Sequence, residues 1–446
     1  MLFHRWAKSD ACGIGCNDMA RPDCEKMPFI DHPLRTRVVS EMHMRRMPPL
    51  SPPMLMIQMV RLLSPDERAA ERIHVLAMPG VKAADVDERS RHIGGTRSDG
   101  VEFLWECHSE ATTATLIMPA SATSAFAAGV DDNDAMQWLR NAPGTVLRAV
   151  RVAIVGNDDA AKASMTDANF SAAELVSCTV GSVRIWSDFL VRDDNFGRLL
   201  VMGGDMPAAD LGRVVQQLQE LGNYRNLALL GLPLAQEQGP QVAVMEQVLV
   251  DIAQRMADGE ADPALLDQLC ELAAQVTAIT ATTAFRMSAT AAYAQIVQDR
   301  ILALNATSIS GYQSLEEFTE RRLLPATRTC ASFSSRLEAL AVRIERATSL
   351  LRTRVEMALQ AQNSALLQSM DKNSERQLRL QRVVEGLSVV AVSYYAVSLL
   401  SYILRVAAEY AHISHDALVA YSVVPVMVLV WIFLRGKVKH IVEAAT

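Results

Sequence analysis

The chain has 446 residues, half of them hydrophobic and 21% charged, which is ordinary for a globular protein and leaves room for two or three domains. A formal net charge of −7 gives no electrostatic footprint for a nucleic-acid partner. The seven cysteines are odd in number and scattered, the pattern of reduced thiols and not of a disulfide framework.

Residues 1–30 carry His4, Arg5, Lys8, Asp10, Asp18, Arg21, Asp23, Glu25 and Lys26 with no apolar run between them. They read as a disordered leader and not as a signal peptide, which keeps the body that follows in the cytoplasm. Cys12 and Cys16 stand at the spacing of a zinc pair, but no second Cys or His pair follows at finger spacing.

Residues 31–205 read as an α/β domain. Runs at 101–106 and 112–118 predict neighbouring strands around a turn. Further β-branched or apolar runs at 145–156, 175–186 and 198–202 are bounded by Gly, Asn or Asp. Helical patches fall at 65–78, 121–126 and 134–141. The sheet type is left open.

Residues 206–386 read as a long antiparallel helical stalk with coiled-coil character. A helix is expected from Pro207 to about Leu230, interrupted at Gly222-Asn223, and another over 241–256. From Pro263 to Ile309 there is no Gly and no further Pro, and Ser310-Gly311 ends the stretch. The 60 residues between Pro325 and Gly386 again lack both. Along them Leu337, Leu340, Ile344, Ala347, Leu351, Val355 and Ala358 recur at helical steps and form an apolar stripe. From Arg321 to Arg382 the basic residues exceed the acids by 7.

Residues 387–434 read as a transmembrane hairpin. Residues 387–404 and 417–434 are two runs of 18 residues without a charge. At about 1.5 Å per residue each matches the hydrocarbon thickness of a bilayer. Arg376, Arg379 and Arg382 precede the first run, and Arg435, Lys437 and Lys439 follow the second. The 12-residue link from Arg405 to Asp416 carries one Arg against Glu409 and Asp416, and holds His412 and His415. The excess of positive charge at the outer flanks places both ends inside, including the tail 435–446, and the link outside. The arginines before the first run also suit an anionic lipid surface.

Phosphate loops, HExxH and GxSxG are missing from the sequence. Two polar clusters remain. One is Glu41, His43, Arg45 and Arg46. The other is Glu106, His108 and Glu110, which on a strand would share one face and converge on a metal or a proton, or else form a polar strand edge or a structural ion pair with a stalk arginine. No cofactor is expected.

Many segments are distinctive as strings: DHPLR (31–35), EMHMR (41–45), WECHSE (105–110), SDFL (187–190), NYRNLALLGLPLA (223–235) and FRMSATAAY (285–293). They continue with RRLLPATRTC (321–330), LLRTRVEMALQAQNSALLQSM (350–370) and RQLRLQRVVEGLSVVAVSYY (376–395). On these segments the chain resembles the bacterial domain-of-unknown-function 3422 family of uncharacterised membrane-anchored proteins, over nearly everything from Asp31 to Arg435. The resemblance implies a membrane anchor and no established activity. It departs from the family where a His-Ala-Arg-Pro stretch reads His43-Met44-Arg45-Arg46. It departs again where Glu-Arg-His-Thr-Glu-Phe reads Glu106-Cys107-His108-Ser109-Glu110-Ala111.

The layout of an α/β body, long helices and two spans with a short link also looks like the CorA-type divalent-cation channels. The Gly-Met-Asn signature of those channels is absent, since the chain reads Leu-Arg-Val-Ala-Ala-Glu-Tyr from position 404. The leading functional expectation is therefore a scaffold or regulatory protein of the bacterial inner membrane, multi-pass, with its body and C-terminus cytoplasmic. Its expected partners are the lipid bilayer, further copies of itself and other proteins. The alternatives are an oligomeric CorA-like channel with Ser388, Ser393, Ser398 or Tyr394 facing a lumen, and a membrane-bound enzyme using Glu41, His43, Glu106, His108 and Glu110.

Overall fold

The computed structural model describes residues 32–35, 38–39, 47–81, 90–120, 126, 133–260, 263–411 and 414–443. The described chain divides into two units, one of Met1–Gln236 with Ala284–Ser332, the other of Glu237–Thr283 with Phe333–Thr446. The fold is mixed α+β, with a nine-stranded sheet in the N-terminal part, long helices after it, and two apolar helices at the C-terminus.

The strands are β1 (Met54–Leu62), β2 (His92–Thr96), β3 (Glu102–Cys107), β4 (Ala111–Pro119), β5 (Thr145–Val155), β6 (Val176–Val180), β7 (Val183–Ser187), β8 (Gly197–Met202) and β9 (Thr307–Ser308). Their order across the sheet is β2-β3-β4-β1-β5-β8-β7-β6-β9. Among the described strands only the β5–β8 pair is parallel, with Val152 opposite Leu199. Three short helices precede the long ones: α1 (Pro65–Leu76), α2 (Asp134–Asn141) and α3 (Asp158–Ala168). The first begins on a capping box in which the Ser64 hydroxyl accepts from the Glu67 amide and the Glu67 carboxylate accepts from the Ser64 amide.

Two layers of apolar side chains clothe the sheet. On one face Val75, Met136, Leu139 and Ala161, from α1 to α3, pack with Ile57, Phe103 and Leu116. On the other, Met56, Val152, Ile185 and Val201 meet Leu211, Val215 and Leu218 of α4 (Ala208–Leu229). That second layer also takes in Val297 of α6 (Pro263–Leu304) and Phe318 of α7 (Leu315–Ala411). Between α4 and α6 in the chain lies α5 (Gly231–Ala257), and α8 (His415–Glu443) closes the chain. With both faces covered, the central strands are buried on each side and lose the alternation of a half-exposed strand.

In the second unit the long helices carry buried stripes at helical spacing. Val242, Met245, Leu249, Ile252 and Met256 mark α5, Leu265, Leu269, Leu272 and Val276 mark α6, and Phe333, Leu337, Leu340, Ile344 and Leu351 mark α7. Arg336 of α7 clasps Glu246 of α5, with Nε 3.1 Å and Nη2 2.7 Å from the two carboxylate oxygens. Those guanidinium hydrogen bonds hold the Glu246 carboxyl below its ordinary range.

The structure corrects several sequence expectations. The central strand β1 lies where no strand is read from sequence. Helix α4 runs without a break through Gly222-Asn223. Helix α5 starts at Gly231 and carries Pro240 inside it, α6 ends at Leu304 ahead of Ile309, and α7 begins at Leu315 with Pro325 inside it. The apolar stripe of α7 fades at Val355, and Ala358 is exposed. The leader cysteines, the 121–126 patch apart from Phe126, the cluster Glu41, His43, Arg45 and Arg46, and His412 lie outside the described residues. The side chains of Arg435, Lys437 and Lys439 lie outside them as well.

Candidate functional site

Of the polar residues singled out in the sequence, Glu106 and His108 come together and Glu110 does not join them. Strand β3 ends at Cys107, so His108 to Glu110 belong to the turn into β4 and lose the alternation a strand would impose. His108 Nε2 stands 3.8 Å from Glu106 Oε2 and 3.4 Å from Thr113 Oγ1. Glu110 swings to α6, where Arg286 Nη1 donates to Oε1 at 2.9 Å and Nη2 lies 2.5 Å from Oε2. Beside this pair Tyr293 hydrogen-bonds Ser109 Oγ at 3.3 Å, and burial pushes its hydroxyl above the ordinary tyrosine range. Tyr224 of α4 stacks on Tyr293 and sets its edge against His108.

The space at Glu106 and His108 is about 30 Å³, room for one water but not for an organic substrate. Among the described residues no group of three His, Cys, Asp or Glu converges to hold a metal ion. The turn thus builds a locked polar contact between sheet and helix, able to keep a proton or a water. Glu110→Gln should lower unit stability by about 1–2 kcal/mol, because Arg286 keeps its hydrogen bond but loses its countercharge. Thermal unfolding of the variant measures it.

A larger cavity, about 530 Å³, opens between β5 to β8 and α4. Its wall is mostly aliphatic and aromatic, and three arginines line it: Arg148, Arg198 and Arg225. Arg198 is paired with Asp194. Arg148, on β5, donates from Nη1 to Gln58 Oε1 (3.1 Å), Gln219 Oε1 (2.9 Å) and Asn223 Oδ1 (2.8 Å). All three partners are neutral amides. Burial, and then the Arg225 charge, pull the Arg148 guanidinium down to about 9. Burial and the Arg322 charge pull Arg225 down to about 10. Both stay cationic at neutral pH, and both lie where charge is disfavoured.

Gly222 explains how Arg148 reaches its amides. A Cβ there would stand 2.7 Å from Arg148 Nη2 and 2.9 Å from its Cζ, so the missing side chain of α4 is the seat of the guanidinium. Arg225, one turn further along, lays its guanidinium over Phe189 at 4.3 Å from the ring centroid. Sequence reasoning passed over these residues. The available signal was a pair of arginines, Arg148 and Arg151, inside an otherwise apolar strand, opposite a Gly-Asn step on a helix.

Several distinctive strings of the sequence meet around the two sites. Glu110 and Ser109 of WECHSE meet Arg286 and Tyr293 of FRMSATAAY. Phe189 of SDFL meets Arg225 of NYRNLALLGLPLA and Phe318. Gly231 of the latter string lies against Thr290 and against Cys330 of RRLLPATRTC.

No curated protein and no solved structure matches the chain. The family model described as a protein of unknown function, DUF3422, matches residues 30–441. With the match extending from ahead of the first strand to the last helix, the chain belongs to the DUF3422 family.

Proposed function

We propose that the protein is a membrane-anchored regulator or scaffold of the bacterial inner membrane, its sheet-bearing unit and its C-terminus on the cytoplasmic side. The observation that carries this reading is uncovered apolar surface on two helices. Helices α7 and α8 each contain an 18-residue window long and apolar enough to cross a bilayer, and only 6% of the first window and none of the second is buried. Leu387, Leu399, Tyr402, Val424, Leu429 and Phe433 are all more than half exposed. Contiguous apolar surface of this kind needs lipid or a partner to cover it. The flanking Arg376, Arg379 and Arg382, exposed on α7, and the basic residues after the second span support the inward orientation. As a scaffold the protein would assemble with further copies of itself and with protein partners on the cytoplasmic side.

The channel reading is less well supported. It asks for Ser388, Ser393, Ser398 or Tyr394 to line a lumen, but Ser388 donates its hydroxyl to the Val384 carbonyl of its own helix. The enzyme reading has for its described residues the one-water space at Glu106 and His108.

Carbonate washing of membranes tests the anchor. The full-length chain should remain in the membrane pellet at alkaline pH and leave it only with detergent. Its sheet-bearing unit should resist protease added outside intact spheroplasts. Release of the chain into the carbonate supernatant would refute the anchor, and digestion of the body from outside would refute the orientation.

A further inference from the structure

The cavity of Arg148 and Arg225 carries positive charge that the protein leaves unanswered. Among its described lining residues there is no aspartate or glutamate. Among the described residues no carboxylate and no hydrogen-bond acceptor pairs with Arg225, whose contacts are the rings of Phe189 and Phe318. Arg148 is held by three amides, each of which has an acid of the same shape. One exchange of Asn223 for Asp, or of Gln219 or Gln58 for Glu, would neutralise the cation in place. A guanidinium kept only for structure gains from such a countercharge, since a buried charge is costly unless paired. Here two buried arginines line one largely apolar cavity, and Arg225 lies close enough to act on Arg148. An anion between them removes that repulsion.

The volume points the same way. At about 530 Å³ the cavity falls in the range of small-molecule sites, which are mainly apolar with a few convergent polar groups. Leu218, Leu221, Val176 and Leu199 offer a wall for a hydrocarbon body, and Arg148 from β5 and Arg225 from α4 line the same cavity. Guanidinium groups match the planar fork of carboxylates and the oxygens of phosphates.

We propose that this cavity binds an amphipathic organic anion, with its carboxylate or phosphate head between Arg148 and Arg225 and its apolar body along the Leu218 and Leu221 wall. The anion would be the signal to which an anchored regulator responds. The inference rests on the regulatory reading for its purpose and not for its chemistry. Failure of the anchor shows in the carbonate wash, whereas failure of the site shows only in binding.

The test uses full-length protein in lipid nanodiscs, with empty nanodiscs as the blank and 11-(dansylamino)undecanoate as a fluorescent probe. Saturable probe binding above the blank is expected. Laurate and dodecyl phosphate should displace the probe, and the one acting at lower concentration identifies the head group. Dodecanol, which has the chain without the charge, and inorganic phosphate, which has the charge without the chain, should each need at least about tenfold more. Asn223→Asp and Arg225→Met should each weaken probe binding by about tenfold or more, the worth of one charge-assisted contact. Without ligand both variants should melt at or above the wild-type temperature, so that lost binding does not come from lost folding. The proposal is overturned by absence of saturable binding, by dodecanol or inorganic phosphate displacing the probe as well as laurate, or by unchanged binding in both variants. It is also overturned if both variants melt well below wild type, since the arginines would then be structural.

Discussion

Gly231→Ala should lower the melting temperature of the protein, although alanine is the better helix former. In an open helix the exchange stabilises by roughly 0.5–1 kcal/mol, because glycine loses more backbone freedom on folding. At the start of α5 the sign reverses. A Cβ on Gly231 would stand 2.4 Å from Thr290 Oγ1, 3.1 Å from Thr290 Cβ and 3.2 Å from Cys330 Sγ. Two helices thus approach the bare backbone of a third, and Thr290 and Cys330 are themselves buried, with no open space to swing into. Overpacking of this kind costs about 1–3 kcal/mol, or several degrees in a unit of this size. Gly231→Val should cost more still.

The partner in the clash gives the control. Among the described residues Thr290 Oγ1, which is buried, has no hydrogen-bond partner, so Thr290→Ala should be nearly neutral alone. Placed with Gly231→Ala it should recover a good part of the loss, because it removes the nearest atom. A reference glycine is also needed. Gly239 meets nothing within 4 Å but stands directly before Pro240, where a Cβ crowds the ring. Gly386 meets nothing within 4 Å and has no proline beside it, so Gly386→Ala should hold or raise the melting temperature. If Gly231→Ala and Gly386→Ala behave alike, the close approach of the three helices at Gly231 is wrong.

The same kind of detail decided what could be read from the sequence. Helix α1 was legible because Ser64, Pro65 and Glu67 together form a start signal that few other structures use. Strands β3, β4, β5 and β8 were legible because β-branched or apolar runs sit between Gly, Asn and Asp, whereas the single run at 175–186 divides at Gly181-Ser182 into β6 and β7. Strand β1 was not, although it lies at the centre of the sheet. Its sequence MLMIQMVRL is buried on both faces and so does not alternate, and methionine and leucine favour a helix when judged by propensity alone.

Gly222-Asn223 misled for a related reason. In a helical pattern Gly-Asn reads as a break, and only the opposing Arg148 shows that the glycine makes room and the asparagine supplies an oxygen. Glu106 and His108 were legible as a pair because two positions apart on an extended chain share a side. Glu110 leaves that pair because the strand ends at Cys107; an ion pair with a stalk arginine was the other reading of the cluster, but its partner, Arg286, is 176 residues away and no local pattern names it. The arginine cavity was hidden by the same distance. Its strand, its helix and its aromatic rings come from three separated segments, and no local pattern joins them.

The largest expected effect follows from the solvent of the C-terminal helices, and one helix supplies both the experiment and its control. Leu366 and Leu399 both lie on α7 and are 61% and 69% exposed. Judged by burial alone they are equivalent, and in water a surface leucine changed to arginine shifts stability by no more than about 0.5 kcal/mol. Their surroundings differ. Leu366 stands in the polar stretch that also holds Asp371 and Lys372, while Leu399 stands in the uncharged run from 387 to 404. With lipid around that run, an arginine near its centre costs about 2.5–3.5 kcal/mol of insertion free energy. That is roughly a hundredfold change in the inserted fraction. Leu399→Arg should therefore drop sharply in the carbonate-resistant membrane fraction, with the remainder degraded or aggregated, and Leu366→Arg should fractionate as wild type. Equal behaviour of the two variants would mean that water, or another protein surface, covers residues 387–404. The exposed leucines, valines and tyrosines of that run would then have to be explained as a docking face and not as a membrane span.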